Sequence, residues 1–156
     1  DDALLMYTSG TTGRPKGVVY HHRGAYLITM GTPISWRMTL YPSYLTIVPL
    51  FHCNNWCHVW TMPAVGGTTV CCRDITAKAI YDAIADEGVT HFGGAPIVLN
   101  MLVNAKEGDR RTFDHVVEVF TAGAPPAPAT LAAIETMGFN ITQVYGLTET
   151  YGPATE

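Results

Sequence analysis

Tyr7-Thr8-Ser9-Gly10-Thr11-Thr12-Gly13-Arg14-Pro15-Lys16-Gly17 is the stretch on which the reading of this sequence turns. Hydroxyls, glycines and one lysine crowd a single turn, and almost nothing in it could serve a core. Glycine lets backbone N–H groups approach an anion, the hydroxyls add donors, and Lys16 adds a point charge. Such a turn is a cradle for phosphate. Read as an ordinary solvated Ser/Thr turn, its donors would have no task. Two large classes of phosphate loop are excluded. Counted from Gly10, Pro15 stands where a Walker loop needs glycine, and Gly17 stands where it needs a Mg²⁺-binding hydroxyl. No G-x-G-x-x-G dinucleotide turn occurs in the chain.

Outward from the cradle, Ala3 to Tyr7 reads as a short apolar strand, and Val18-Val19-Tyr20 resumes extended structure. His22 to Met30 is expected to be helical. Tyr44 to Val48 is β-rich and stops at Pro49, which cannot donate to a ladder. A short helix over Trp56 to Val65 should end at Gly66-Gly67, with a buried strand from Thr68 to Cys72 after it. Thr76 caps a helix whose apolar face is Ile80, Ala83 and Ile84 and which ends at Gly88 in the left-handed region. Val89 to Phe92 is a strand, Gly93-Gly94-Ala95-Pro96 a turn, and Ile97 to Val103 a helix. The face from Ile97 to Leu102, with Met101, is assigned to the core. Lys106 to His115 is the charged, linker-like stretch. Val116 to Phe120 is a strand, Ala129 to Met137 a helix stopped by Gly138, and Ile141 to Val144 the last strand.

Strands and helices alternating at this pace predict an α/β fold with a mainly parallel sheet and flanking helices. The unusual loops then fall into place. Gly93-Gly94-Ala95-Pro96, Gly123-Ala124-Pro125 and Gly146-Leu147-Thr148-Glu149 each follow the carboxyl end of a strand, the edge where open α/β sheets bind ligands. Topology alone gathers three loops into a nucleotide-type crevice.

At 156 residues, 47% hydrophobic and 14% charged, the chain has the composition of one globular domain with a sizeable core. Its formal charge of −4 and the lack of a basic cluster argue against a nucleic-acid surface. No apolar run has membrane-spanning length and there is no signal peptide, so a cytoplasmic location is expected. The four cysteines fit a reduced interior. Cys53 and Cys57, with His52 and His58 beside them, could suggest zinc, but no C-x-x-C pair is present. The intervening Asn54-Asn55-Trp56 suits a pocket wall better.

The cradle resembles the signature of the adenylate-forming superfamily: acyl-CoA synthetases, peptide-synthetase adenylation domains and luciferases. Three further motifs follow in that family's order. Pro49-Leu50-Phe51-His52 is similar to its acyl-pocket motif, Ala122-Gly123-Ala124-Pro125-Pro126 to its adenine loop, and Tyr145-Gly146-Leu147-Thr148-Glu149-Thr150 to its second signature. The resemblance implies that the chain, which opens without methionine and closes beside a site motif, is a partial adenylation domain. It would be an internal piece of the large N-terminal domain, without the C-terminal lid.

The resemblance also implies roles. Thr8, Ser9, Gly10, Thr11, Thr12, Gly13 and Lys16 would hold the β- and γ-phosphates of ATP, with Lys16 neutralising the departing pyrophosphate. Gly123, Ala124, Pro125, Tyr145 and Gly146 would receive adenine, the ring of Tyr145 lying against it. Thr148 would hydrogen-bond the α-phosphate, and Glu149 would bind Mg²⁺. Without that likeness Glu149 is a carboxylate at an exposed turn, Tyr145 a strand-end aromatic, and Gly123 part of an ordinary turn. His52, Asn55, Trp56 and Gly94 would contact the acyl substrate, His52 orienting its carboxylate and Trp56 gating the channel. A structural histidine and a core tryptophan are the plain alternatives. His21, His22, His58, His91 and His115 receive no role.

The run from Pro49 to Asp74 most resembles acyl-CoA ligases: plant acyl-activating enzymes, medium-chain fatty acyl ligases and methylmercaptopropionate-CoA ligases. The expected activity is therefore ATP-dependent acyl-CoA formation, with coenzyme A as acceptor. An amino-acid-adenylating domain is the alternative, weakened because no aspartate for an amino group stands near His52. An isolated nucleotide-binding module without turnover is the third reading. The sequence is compatible with a homodimeric parent.

Overall fold

A computed structural model describes residues 1–10 and 13–156; Thr11 and Thr12, expected in the phosphate cradle, lie outside the described residues. Five parallel strands form the central sheet in the order β4(Thr68–Cys71), β3(Ser43–Thr46), β5(His91–Gly94), β6(Val117–Thr121), β7(Phe139–Gln143). All four neighbouring pairs are parallel. After β3 the chain steps outward to β4, then returns to the other side of β3 with β5. That reversal leaves a crevice above the carboxyl ends of β3 and β5.

Helices α4(Ala77–Glu87), α5(Pro96–Val103) and α6(Pro128–Glu135) supply the apolar faces that cover the sheet. Leu45, Ile80, Ile84, Phe92, Leu99, Leu102, Val117 and Val119 are fully buried in one cluster. Each such side chain stabilises the fold by roughly 1.5–3 kcal/mol relative to exposure. The ends of α4 are those expected. Thr76 Oγ1 accepts the Ala79 amide at 3.2 Å, and Gly88 closes the helix at φ +60°.

Two small antiparallel hairpins flank the sheet. β1(Asp2–Thr8) pairs with β2(Lys16–His21), placing Thr8 opposite Lys16. β8(Tyr145–Leu147) pairs with β9(Gly152–Thr155) around a 3-10 turn at Thr148–Thr150. The sequence carries no clear sign of this second hairpin. β7 is therefore not the last strand, and it closes at Gln143 rather than Val144.

Several local expectations are corrected. α1(His22–Ser35) runs past Met30, with Pro33 inside it. The stretch expected as one helix from Trp56 divides at Cys57. Element α2(Cys53–Trp56) is a turn of the opposite hand, and α3(His58–Ala64) is right-handed. Gly93 and Gly94 are not a turn; they are the buried end of β5, paired with Phe120 and Thr121. β4 is an edge strand, so Cys71 is exposed and Cys72 only half-buried, not interior. Ile97, assigned to the core, is 75% exposed, because α5 turns Leu99 and Leu102 inward instead.

Candidate active site

A cavity of about 450 Å³ opens above the carboxyl edge of the sheet. Ile47, Val48 and Pro49 leave β3 along its wall, Ile75 follows β4, and Gly93 and Gly94 end β5. Ala122 and Gly123 follow β6, and Val144 and Gly146 follow β7. Every strand of the central sheet thus contributes to one wall, as the topology predicts.

The acyl-motif residues come from the segment between β3 and α3. His52 is exposed on the cavity wall with its ring centroid 4.6 Å from that of Phe51. Trp56 is half-buried and lies over Gly93, where an added Cβ would stand 2.9 Å from the indole. Only glycine at that point lets the ring seat on the sheet. Asn55 is brought near but not onto the wall. It is buried behind it, accepting the Tyr44 hydroxyl at 3.1 Å and reaching Thr46 Oγ1 at 3.5 Å.

The backbone carrying these residues is under strain. Cys53, Asn54, Asn55, Trp56 and Cys57 all have φ between +46° and +70°. A left-handed turn costs roughly 1–2 kcal/mol per residue outside glycine. Surrounding bonds hold it in place. The Cys57 amide donates to the Cys53 carbonyl at 2.8 Å, and the Asn55 carbonyl meets His58 Nδ1 at 2.9 Å. Cys57 Sγ donates to the Tyr151 carbonyl at 2.7 Å, and the Tyr151 hydroxyl donates to Asn54 Oδ1 at 3.2 Å. Burial pushes the Cys57 thiol up from its ordinary value, so it stays a neutral donor. Such strain is found where a side chain must be aimed.

From the turn after β8, Thr148 is half-buried and lines the cavity, while Glu149 next to it is exposed. Glu149 makes no ion pair among the described residues. Thr150 closes the turn, its Oγ1 accepting the Leu147 amide at 2.8 Å and meeting the Gly152 carbonyl at 2.8 Å. Gly123 lines the wall at φ +99°, but Ala124 and Pro125 are exposed beyond it. Gly146 lines it too, pressed against the Gly152 carbonyl, whereas Tyr145 is 61% exposed and off the wall.

The hairpin residues Thr8, Ser9, Gly10, Gly13 and Lys16 do not line this cavity. The Gly10 amide donates to the Thr8 carbonyl and the Gly13 amide to the Gly10 carbonyl, both at 3.0 Å. Lys16 is exposed, opposite Thr8. The hairpin meets the site through Tyr20, whose hydroxyl donates to the Thr148 carbonyl at 2.6 Å. Sequence reasoning passed over Tyr20, Tyr151 and the Gly152-Pro153 pair. Only the last carried a signal, a Gly-Pro punctuation after the acidic turn.

The chain matches the AMP-binding enzyme family over residues 1–156. It belongs to that family. A peroxisomal acetate/butyrate–CoA ligase of Arabidopsis thaliana is 50% identical over 152 residues, covering 97% of this chain and 27% of that protein. An acetate–CoA ligase of Humulus lupulus is 51% identical over 152 residues, with the same coverage of 97% and 27%. The chain thus spans 27% of the length of these curated relatives. Among solved structures, the N-terminal domain of FACL13 from Mycobacterium tuberculosis superposes with a TM-score of 0.84 at 27% identity. That match covers 97% of this chain and 38% of the other. The o-succinylbenzoate coenzyme A synthetase of Bacillus subtilis, in complex with ATP and magnesium, gives 0.82 at 26% identity, covering 96% and 31%. The expected fold is the one observed: the α/β sheet is that of N-terminal domains in this family of AMP-binding enzymes.

Proposed function

We propose that the longer protein carrying this chain activates a short- or medium-chain carboxylic acid with ATP and passes the acyl group to coenzyme A. The observation that supports it most is the cavity itself. It brings His52 and Trp56 together with Gly123, Gly146 and Thr148 at the carboxyl edge of the sheet. Relatives half identical to the chain are named for acetate and butyrate.

In this reading the acid's carboxylate attacks the α-phosphorus of ATP and pyrophosphate leaves. The thiol of coenzyme A then attacks the acyl carbon and AMP departs. Both first reactants are anionic, so catalysis consists of aligning them and neutralising charge. His52 orients the carboxylate, Trp56 bounds the acyl chain, and Thr148 donates to the α-phosphate. Thr8, Ser9, Gly10, Thr11, Thr12 and Gly13 cradle the outer phosphates, and Lys16 offsets the charge of pyrophosphate. Gly123, Ala124, Pro125, Tyr145 and Gly146 border the base, while Asn55 supports the acyl wall and Gly94 leaves room at its edge.

Glu149 fits a magnesium site of the kind that uses one or two carboxylates and substrate phosphates. It is exposed and unpaired beside Thr148, and no group of three His, Cys, Asp or Glu among the described residues could bind a metal without such help. When bound, the ion would neutralise phosphate charge.

The chain is read as part of the adenylation domain of that longer protein, whose lid lies outside these residues. No described helix is long and apolar enough to cross a membrane. A cytoplasmic location, a homodimeric parent and no nucleic-acid partner belong to the same reading, although one relative is named as peroxisomal. ATP–pyrophosphate exchange by the full-length protein tests the proposal. Exchange driven by acetate, butyrate or longer acids is expected; exchange driven only by amino acids would replace the reading with amino-acid adenylation.

A further inference from the structure

Tyr20 stands outside every motif, yet three residues from two elements of the site converge on it. Its ring is buried and stacks on Tyr151 with centroids 3.8 Å apart and planes at 27°. Its hydroxyl lies 2.6 Å from the Thr148 carbonyl and 3.7 Å from Cys53 Sγ. A phenol has one proton to give, and the short contact to the carbonyl takes it. The Cys53 thiol is then left to donate weakly, either back to the Tyr20 oxygen or to the Leu147 carbonyl at 3.9 Å. Burial pushes the Tyr20 hydroxyl up from its ordinary value, so it remains a donor across the working pH range.

The second tyrosine completes the joint. Tyr151 ends the Thr148–Thr150 turn at φ +59°. Its hydroxyl accepts from Trp60 Nε1 at 2.6 Å and donates to Asn54 Oδ1, while its carbonyl accepts from Cys57. Strand β2 starts at Lys16, and β2 is thus bonded to the turn bearing Thr148 and Glu149. Through Tyr151 the same turn is bonded to the left-handed segment bearing Trp56. No other side chain among the described residues bonds β2 to that turn.

We propose that Tyr20 is a positioning residue for the α-phosphate: its hydroxyl fixes the Thr148 carbonyl and so sets where the Thr148 side chain meets the nucleotide. The proposal rests on the nucleotide reading of the cavity. Tyr20 itself touches neither wall nor ligand space, and it acts through the backbone of Thr148. Displacements of about 1 Å at a reacting group can change rates a hundredfold, so one such anchor has consequences at the site.

The test compares AMP, which carries the α-phosphate, with adenosine, which does not, by calorimetric titration of the full-length protein. Tyr20→Phe keeps the stacked ring and removes only the hydroxyl. It is expected to weaken AMP about tenfold while leaving adenosine within about twofold. A merely structural role would weaken both together or neither, and either result would overturn the proposal. The ratio of the two affinities is measured on the folded fraction, so partial instability does not disguise it. If Tyr20→Phe accumulates poorly, the paired titrations are repeated at lower temperature: a selective loss of AMP supports the anchor, and a parallel loss contradicts it. Failure of the unaltered protein to bind either ligand would instead defeat the nucleotide reading, and the anchor with it.

Discussion

A methyl group at Gly93 would stand 2.9 Å from the Trp56 indole and 3.4 Å from the Tyr44 hydroxyl. Tyr44 is fully buried, so the indole is the partner that can give, and the space it can enter is the cavity. Gly93→Ala should therefore shorten the cavity proposed to hold the acyl chain. We expect the ratio of kcat/KM for butyrate over acetate to fall about tenfold, the usual worth of a methylene or two in an apolar pocket. An unchanged ratio would show that Trp56 does not bound the acyl chain. Glu149 presents the opposite case, an exposed side chain proposed to act through its charge. Glu149→Gln keeps its size and should slow pyrophosphate exchange roughly 10²–10³-fold, with little change in the thermal midpoint. Exchange within a few-fold of the parent would remove Glu149 from the site.

At the scale of elements, the left-handed turn at Cys53–Cys57 matters most, because it aims Trp56 across Gly93. Asn55 is its inner post, buried and bonded to Tyr44. Asn55→Ala strands the Tyr44 hydroxyl and the backbone it supports, and should destabilise the protein by about 2–3 kcal/mol. Urea titration measures this; a loss below about 0.5 kcal/mol would mean the turn holds itself.

The elements differ in how far the sequence foretells them. Helix α4 was legible because Thr76 and Gly88 bracket it with a cap and a left-handed stop. The carboxyl-edge crevice was legible because glycine loops recur after successive strands. The reversed turn was not, since consecutive non-glycine residues at positive φ run against local preference, and only Asn54-Asn55 tolerate it. Bonds to Tyr44 and Tyr151, with a local one to His58, impose it; Tyr151 is far away in sequence and the other two are silent in pattern. The same limit hid the edge position of β4: Val70 and Cys72 pack on the core, while pairing order leaves the strand at the sheet's edge and Cys71 exposed.

For the whole molecule, the buried aromatic cluster around Trp36 sets a pH dependence. His58 and His91 pack edge-on to Trp36 at 5.0 and 5.2 Å, and burial pushes both down to about 4. An unfolded histidine titrates near 6.5. Between pH 6.5 and 4 the unfolded chain takes up protons that the native rings refuse, so stability falls as pH falls through that window. The loss should reach a few kcal/mol, since each tenfold weakening of a ring's proton affinity is worth on the order of 1.4 kcal/mol. Denaturant midpoints at pH 7 and pH 5 measure it, and equal midpoints would mean that the rings take up protons in the native state. A second expectation concerns completeness. The chain spans 27% of its relatives, and the purified 156 residues alone should form no detectable acyl-AMP. Appearance of acyl-AMP from them would show that the chain carries the whole adenylating machinery.

The proposed chemistry requires a triphosphate lying between the hairpin of Thr8 and Lys16 and the turn of Thr148 and Glu149. A crystal structure of the full-length protein with ATP measures this directly. It should place the α-phosphate within about 3.2 Å of the Thr148 hydroxyl, the outer phosphates against Lys16, and the base beside Gly123. A nucleotide bound elsewhere, or Lys16 and Glu149 on separate faces of the molecule, would contradict it.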